Sequence, residues 1–271
     1  MTELGPHADE LGGVTDLRSA VDTVQGLCLH LFWAGAYGVD NSERQDEVQR
    51  RSAVEMLDLA KQIDARPLSE AREPARRILV NCRHFSTLTA ALLRNAGHPA
   101  RARCGFANYF EPGMGVDHWV VEYHDGEEWK LADAQLDQLQ IASKSIAFDP
   151  LDVPRDQFLV AGEVWRRCRA GEDDGDRYGI LDMHGLWFVE GNVPRDLASL
   201  NKMELLPWDA WGVMLSGNSE HHRQDGLIDE VARVTVDADF DEVRALYEND
   251  LLRVPDVITA LYPEERQVVL R

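Results

Sequence analysis

The stretch Asn81-Cys82-Arg83-His84-Phe85-Ser86-Thr87-Leu88-Thr89-Ala90-Ala91-Leu92-Leu93-Arg94-Asn95-Ala96-Gly97-His98-Pro99 decides how this chain is read. Phe85, Leu88, Thr89, Leu92 and Leu93 recur at i, i+3, i+4, i+7 and i+8, which predicts a helix in the second part of Arg76 to Ala96. Gly97 and Pro99 supply its stop. Cys82 falls at the helix start, where unpaired N–H groups and the positive dipole end favour a thiolate and can stabilise an oxyanion. Downstream the pattern turns to strands over Arg101–Tyr109, Asp117–Tyr123 and Glu128–Asp133.

Between the last two strands, Asp125-Gly126 carries a tight-hairpin signal. A turn centred on that dipeptide pairs 124 with 127, 120 with 131 and His118 with Asp133. Directly opposed residues share a sheet face, with Cβ atoms about 4.5 to 5.5 Å apart. Asp133 would then fix the tautomer of His118 and leave its other ring nitrogen as a base. With Cys82 as nucleophile the three make a Cys-His-Asp triad. Taken singly, a helix-start cysteine is more often a small buried hydrophobe, a strand histidine a hydrogen-bonded core residue, and a strand-end aspartate a turn cap. Their joint order and register are what point to chemistry.

The run from Asn81 to Arg101, followed by Gly105-Phe106, Asp117-His118-Trp119, Glu122-Tyr123, Trp129 and Asp133, resembles the core of the transglutaminase-like superfamily, bacterial type. The resemblance covers roughly Ile78 to Asp137. It implies Cys82 as nucleophile, His118 as base and Asp133 as orienting carboxylate. It also implies an α+β fold, with a nucleophile helix packed on an antiparallel sheet in the papain-like manner, plus helical N- and C-terminal extensions. Asn81, Trp33, Arg83 and Trp119 are the candidates for oxyanion or substrate contacts. His84 stands where an acidic residue is common in the bacterial branch.

The rest of the 271 residues bounds the partners. Lys and Arg number 28 against 48 Asp and Glu, a net charge of −20 that repels phosphate backbones and anionic membrane surfaces. Nucleic acid and membrane are therefore not expected partners. Met1 to Gly13 has neither a basic nor an apolar leader region, and no apolar run approaches the roughly 20 residues of a membrane span. Cys28, Cys82, Cys104 and Cys168 are scattered, without CxxC spacing, and read as thiols of a reducing cytoplasm. The acidity is uneven. Between Glu70 and Gly105, seven arginines (72, 76, 77, 83, 94, 101, 103) face only Glu70 and Glu73. A basic segment there would favour the thiolate and receive an anionic substrate or an acidic carrier, although pairing with neighbouring carboxylates is the plainer use.

Residues 1–75 read as a helical segment, with helices over Val14–Tyr37 and Ser42–Ile63 and a loop over Pro67–Pro74. Residues 76–150 form the catalytic core, and 151–271 a mixed, mostly helical extension expected to be compact with it. That extension has helices at Arg155–Arg169, Pro194–Leu205 and Phe240–Tyr247, a short strand at Leu186–Glu190, and an exposed loop at Ser216–Gly226 containing His221 and His222. Asp182-Met183-His184-Gly185 reads as a capped turn and Glu172 to Asp176 as a solvated one, since it lacks calcium-loop spacing. Trp187, Trp208 and Trp211 read as core, with closure over a cleft as the other role. The expected activity is cysteine-dependent acyl transfer on a peptide or small-molecule amide or thioester, with no cofactor. Amide formation from a carrier-bound thioester is the variant of that chemistry, and a non-catalytic binding module of the same fold is the competitor. Metal dependence and oligomeric state are not assigned.

Overall fold

Each early helix begins at a side-chain cap. In the computed structural model, which describes residues 1–216 and 225–270, α1 (Leu17–Leu27) starts where the Asp16 carboxylate accepts the Ser19 N–H at 2.8 Å. Ser52 and Glu55 form the same reciprocal box at the start of α2 (Ala53–Ile63). Both helices come later or end earlier than periodicity suggests. The apolar stripe through Val14–Tyr37 is cut at Cys28, because Cys28–His30 (β1) pairs in parallel with Ile78–Val80 (β2). Leu31–Tyr37 then follows as a 3-10 turn, closed by Gly38 at φ +71°. In the expected Ser42–Ile63 helix, Gln45–Gln49 makes only a 3-10 turn. Its Glu47 carboxylate is committed to Arg44 and to the Leu79 N–H, 2.7 Å away, which anchors that segment to β2.

The helix α3 (Cys82–Asn95) is buried from its first residue through Leu93, and Gly97 follows at φ +86°. Two long strands come next, β3 (Ala100–Glu111) and β4 (Met114–His124), followed by the short β5 (Trp129–Ala132). Beyond them lies α4 (Gln138–Lys144), capped by Asp137. The chain divides into two compact units, the first comprising residues 1–102 and 119–155 and the second 103–118 and 156–271. In the first, Val21, Val24, Met56, Leu57, Phe85, Leu88, Leu92, Val121 and Ala132 belong to one apolar core, so α3 shares its interior with α1, α2 and the β4–β5 hairpin.

The hairpin register differs from expectation by two residues. Val121 pairs with Ala132, Glu122 with Leu131 and His124 with Trp129. Gly126, at φ +111°, is the first of the two central turn residues rather than the second. The cause is Asp125: its carboxylate accepts the N–H groups of Glu127 and Glu128 at 2.9 and 3.0 Å, so it clamps the turn from outside. Continued one residue past β5, the ladder sets Asp133 level with Val120, not with His118 as the sequence suggested. A slip of two leaves the inside–outside alternation of the strand unchanged.

In the second unit, β6 (Phe158–Val160) pairs with β3, and α5 (Ala161–Ala170) follows where a single helix from Arg155 was expected. The short strands β7 (Tyr178–Ile180) and β8 (Met183–His184) form a tight pair, and β7 also runs parallel to β4. The sheet order is β6-β3-β4-β7-β8, with β5 also on β4. Gly105 and Gly115 are packing requirements: an added Cβ would meet the Leu159 carbonyl oxygen at 2.1 Å and the Tyr178 ring at 2.4 Å. The helix α6 (Leu186–Leu200) replaces both the strand expected at Leu186–Glu190 and the helix expected from Pro194, and carries that proline inside it. Then come β9 (Asp209–Ala210), α7 (Val213–Ser216), α8 (Asp225–Asp237), α9 (Phe240–Tyr247), β10 (Val257–Ala260) and β11 (Arg266–Val269), with a small antiparallel sheet in the order β11-β10-β9. His221 and His222 lie outside the described residues, whereas Asp225 and Gly226 open α8 instead of closing a loop. Phe106, Trp165, Val189, Val193 and Val231 share this unit's core. The whole is an α+β fold.

Candidate functional site

Cys82 is the first residue of α3, with a residual exposure of 7%. The preceding Asn81 has extended backbone (φ −114°, ψ 179°), and its N–H donates to Nδ1 of His84 at 3.3 Å. The same Nδ1 lies 2.7 Å from Asn81 Oδ1, and Nε2 of His84 lies 2.9 Å from the Arg50 carbonyl oxygen. Burial, with Arg83 beside it, holds this imidazole well below its ordinary value, so it is neutral. A neutral His84 occupies the helix start without adding charge next to Cys82. Arg83 points away from solvent, donating to the Arg50 and Arg51 carbonyls.

The other three cysteines differ from Cys82 in place. Burial pushes the Cys28 thiol up to about 12 and the Cys168 thiol to about 11, which keeps both protonated near neutrality. Cys104 is buried as well, and its backbone N–H donates to Asp196 at 2.9 Å.

Asp133 is buried just past β5. Its N–H donates to the Pro150 carbonyl at 2.7 Å, and its Oδ1 accepts the Gln135 N–H at 3.0 Å. Trp119 is buried on β4, and its indole N–H has no acceptor among the described residues. Trp33 is half-buried in the 3-10 turn after β1, with the Lys144 ammonium 6.0 Å from its ring.

In the second unit His118 is 2% exposed and boxed by aromatic edges, with ring centroids 4.9 Å away at Phe110, 6.0 Å at Tyr109 and 6.5 Å at Phe158. Beside it in sequence, Asp117 accepts the Asn192 amide at 2.7 Å. Burial raises the Asp117 carboxyl above its usual range, against the opposing pull of Asn192 and Arg195. Nothing local announces this pairing, because Asn192 lies 75 residues away in a segment read partly as strand.

The basic run around Cys82 is largely turned inward. Arg103 makes a buried bidentate pair with Asp196, 3.0 and 2.8 Å, and also donates to the Thr235 carbonyl. Arg72 is spent on backbone carbonyls and Arg101 on Glu122. Of the three tryptophans expected in the core, Trp211 lies there, with its indole N–H on the Leu252 carbonyl at 2.9 Å, whereas Trp208 is half-buried and Trp187 is 60% exposed, outside any core. Asp173 pairs with Arg177 and Tyr178, and Leu181–His184 forms the exposed β7–β8 turn. Among the described residues no group of His, Cys, Asp and Glu could hold a metal ion, and no helix is long and apolar enough to cross a membrane.

Residues 42–134 match the model of the transglutaminase-like superfamily. That segment is similar to transglutaminase-like domains. The match takes in Cys82, His118 and Asp133 and ends one residue past the last of them. Cysteine-based acyl transfer or hydrolysis is the general chemistry of the superfamily, and its domains are generally enzymatic. No curated protein and no solved structure matches the chain.

Proposed function

We propose that this transglutaminase-like domain is a cysteine-dependent acyl-transfer enzyme, with Cys82 as nucleophile, His118 as general base and acid, and Asp133 as the carboxylate that orients the imidazole. The observation that carries this reading is the position of Cys82: the first residue of a 14-residue helix, inside the matched segment, at the end where a helix presents its first-turn N–H groups and the positive end of its dipole. Those donors suit a tetrahedral oxyanion, a form of charge stabilisation that is often the largest single contribution in acyl transfer.

In the first half-reaction His118 takes the Cys82 thiol proton and the sulfur attacks the carbonyl carbon of an amide or thioester. The C–N or C–S bond then breaks, and His118 returns its proton to the departing amine or thiol. In the second, His118 removes a proton from water or an amine, the new nucleophile attacks the Cys82 thioester, and the C–S bond to Cys82 breaks. The sulfur leaves as thiolate and regains the proton. Water yields hydrolysis and an amine yields transfer.

The test is to trap the thioester. The full-length protein is incubated with a panel of small acyl amides and acyl thioesters, quenched in acid, and read by intact mass and peptide mapping. The expected result is the acyl mass on Cys82 with at least one of the two classes, absent from Cys82→Ala. No adduct and no turnover with either class would overturn the enzymatic reading in favour of a binding module.

A further inference from the structure

Three large apolar side chains of the second unit stand in solvent around one turn: Leu181 is 76% exposed, Met183 43% and Trp187 60%. Single exposed apolar residues are ordinary, but three on one hairpin and the helix start beside it form a patch. The turn is held from behind. The Gly185 N–H donates to the Tyr178 carbonyl at 3.2 Å, and a Cβ added to Gly179 would meet the Met183 carbonyl oxygen at 2.1 Å. Trp187 rests on the same closure, since a Cβ on Gly185 would come within 3.3 Å of its ring. Its edge contact with Phe188, 5.5 Å between centroids, ties it to a residue packed on the unit's core.

The backbone at Leu181 adds a second observation. It has φ +55° at the first of the two central turn residues, where hairpins place glycine or asparagine and a bulky side chain is disfavoured. No packing compensates, because the side chain is exposed. A local rule broken without a structural gain marks a functional position. The register then gives the turn an address. Gly115 pairs with Tyr178 and Val116 with Gly179 in parallel, and the ladder continued two residues sets Leu181 level with His118. On the other flank of β4, β3 brings Tyr109 and Phe110 against the imidazole. An anionic occupant is disfavoured at the tip: Asp182 stands in the turn and Asp176 against Gly185, while Arg177 is engaged by Asp173 and the Gly113 carbonyl.

We propose that this tip recognises the acyl group: Leu181, Met183 and Trp187 hold its apolar chain, so the substrates are amides or thioesters of medium-chain fatty acyl groups rather than acetyl-sized or anionic ones. The inference rests on the acyl-transfer reading of Cys82 and His118 and adds to it the class of group transferred.

Two measurements on the full-length protein test it. Titration calorimetry and amide-shift NMR compare octanamide with acetamide on Cys82→Ala, and acid-quenched mass spectrometry compares octanoyl, acetyl and glutaryl thioesters of N-acetylcysteamine on the wild type. One fully buried methylene is worth about fourfold, so on this open surface octanamide should bind, and octanoyl should acylate Cys82, at least about tenfold better than the acetyl counterpart. Glutaryl should react no better than acetyl, and the shifts should centre on residues 181–187. Leu181→Gly suits φ +55° and should fold at least as well as the wild type. Both it and Trp187→Ser should cut the octanoyl-to-acetyl ratio by at least about threefold. Equal treatment of octanoyl and acetyl, an unchanged ratio in both folded variants, or shifts at 181–187 that follow protein concentration rather than octanamide, as between two copies of the chain, would overturn the proposal. Acylation without chain-length preference would leave Cys82 a nucleophile. Octanamide binding at the tip with no acylation by any thioester would overturn the acyl-transfer reading and leave the apolar site standing.

Discussion

The Gln135 N–H donates to Asp133 Oδ1 at 3.0 Å, so the carboxylate assigned to orient His118 is itself held by the turn that follows β5. This splits its structural role from its charge. Asn at position 133 retains an oxygen acceptor for the Gln135 N–H and loses the negative charge. Asp133→Asn should therefore fold with little change in melting temperature, while kcat/KM on a substrate found by acyl trapping falls about 10²- to 10⁴-fold. Unchanged kcat/KM in the folded variant would remove Asp133 from the chemistry.

The buried Arg103–Asp196 pair, 2.8 Å at its closest, ties β3 to α6 in the second unit. Asp196 also accepts the Cys104 N–H. Arg103→Met leaves that carboxylate buried with one hydrogen bond in place of several, and should destabilise by about 3 to 5 kcal/mol in urea unfolding. A loss below about 1 kcal/mol, the range of exposed pairs, would contradict the burial described here.

His84 predicts a pH dependence of stability. Burial and Arg83 hold it neutral in the fold, well below the ordinary 6.5 it regains when unfolded. Below pH 6.5 the unfolded chain binds a proton that the native state refuses, so the contribution is complete above 6.5 and is lost as pH falls. One proton is worth at most about 1.4 kcal/mol per pH unit. Between pH 7.5 and 5.5 the wild type should lose stability more steeply than His84→Gln, compared by urea titration at each pH. Parallel slopes would contradict this, showing that His84 takes up its proton as readily in the native state as in the unfolded chain.

Cys82, its helix and the strands after it were legible because the local signals agree: a stripe of five residues at helical spacing, and a glycine that adopts φ +86° at the helix end. The hairpin was legible as a hairpin but not in its register, since Asp-Gly can sit at the turn centre or straddle its edge. The Asp125 carboxylate, bonding two N–H groups ahead, selects the second. Cys28–His30 read as helix because nothing local reports a parallel partner 50 residues on at Ile78–Val80. The arginine cluster around Cys82 was visible, but its charge count could not show that Arg103 is locked onto Asp196 and Arg101 onto Glu122.

The central claim is that Cys82 is a nucleophile activated by His118, and iodoacetamide alkylation followed site by site by mass spectrometry tests it most directly. Cys28 and Cys168, held up to about 12 and about 11, serve as internal references. The account predicts that at pH 6 to 7 Cys82 is modified well ahead of both, faster than an ordinary thiol of pKa about 8.5, and that His118→Ala slows it. Alkylation of Cys82 no faster than that ordinary thiol, and unaltered by His118→Ala, would contradict it.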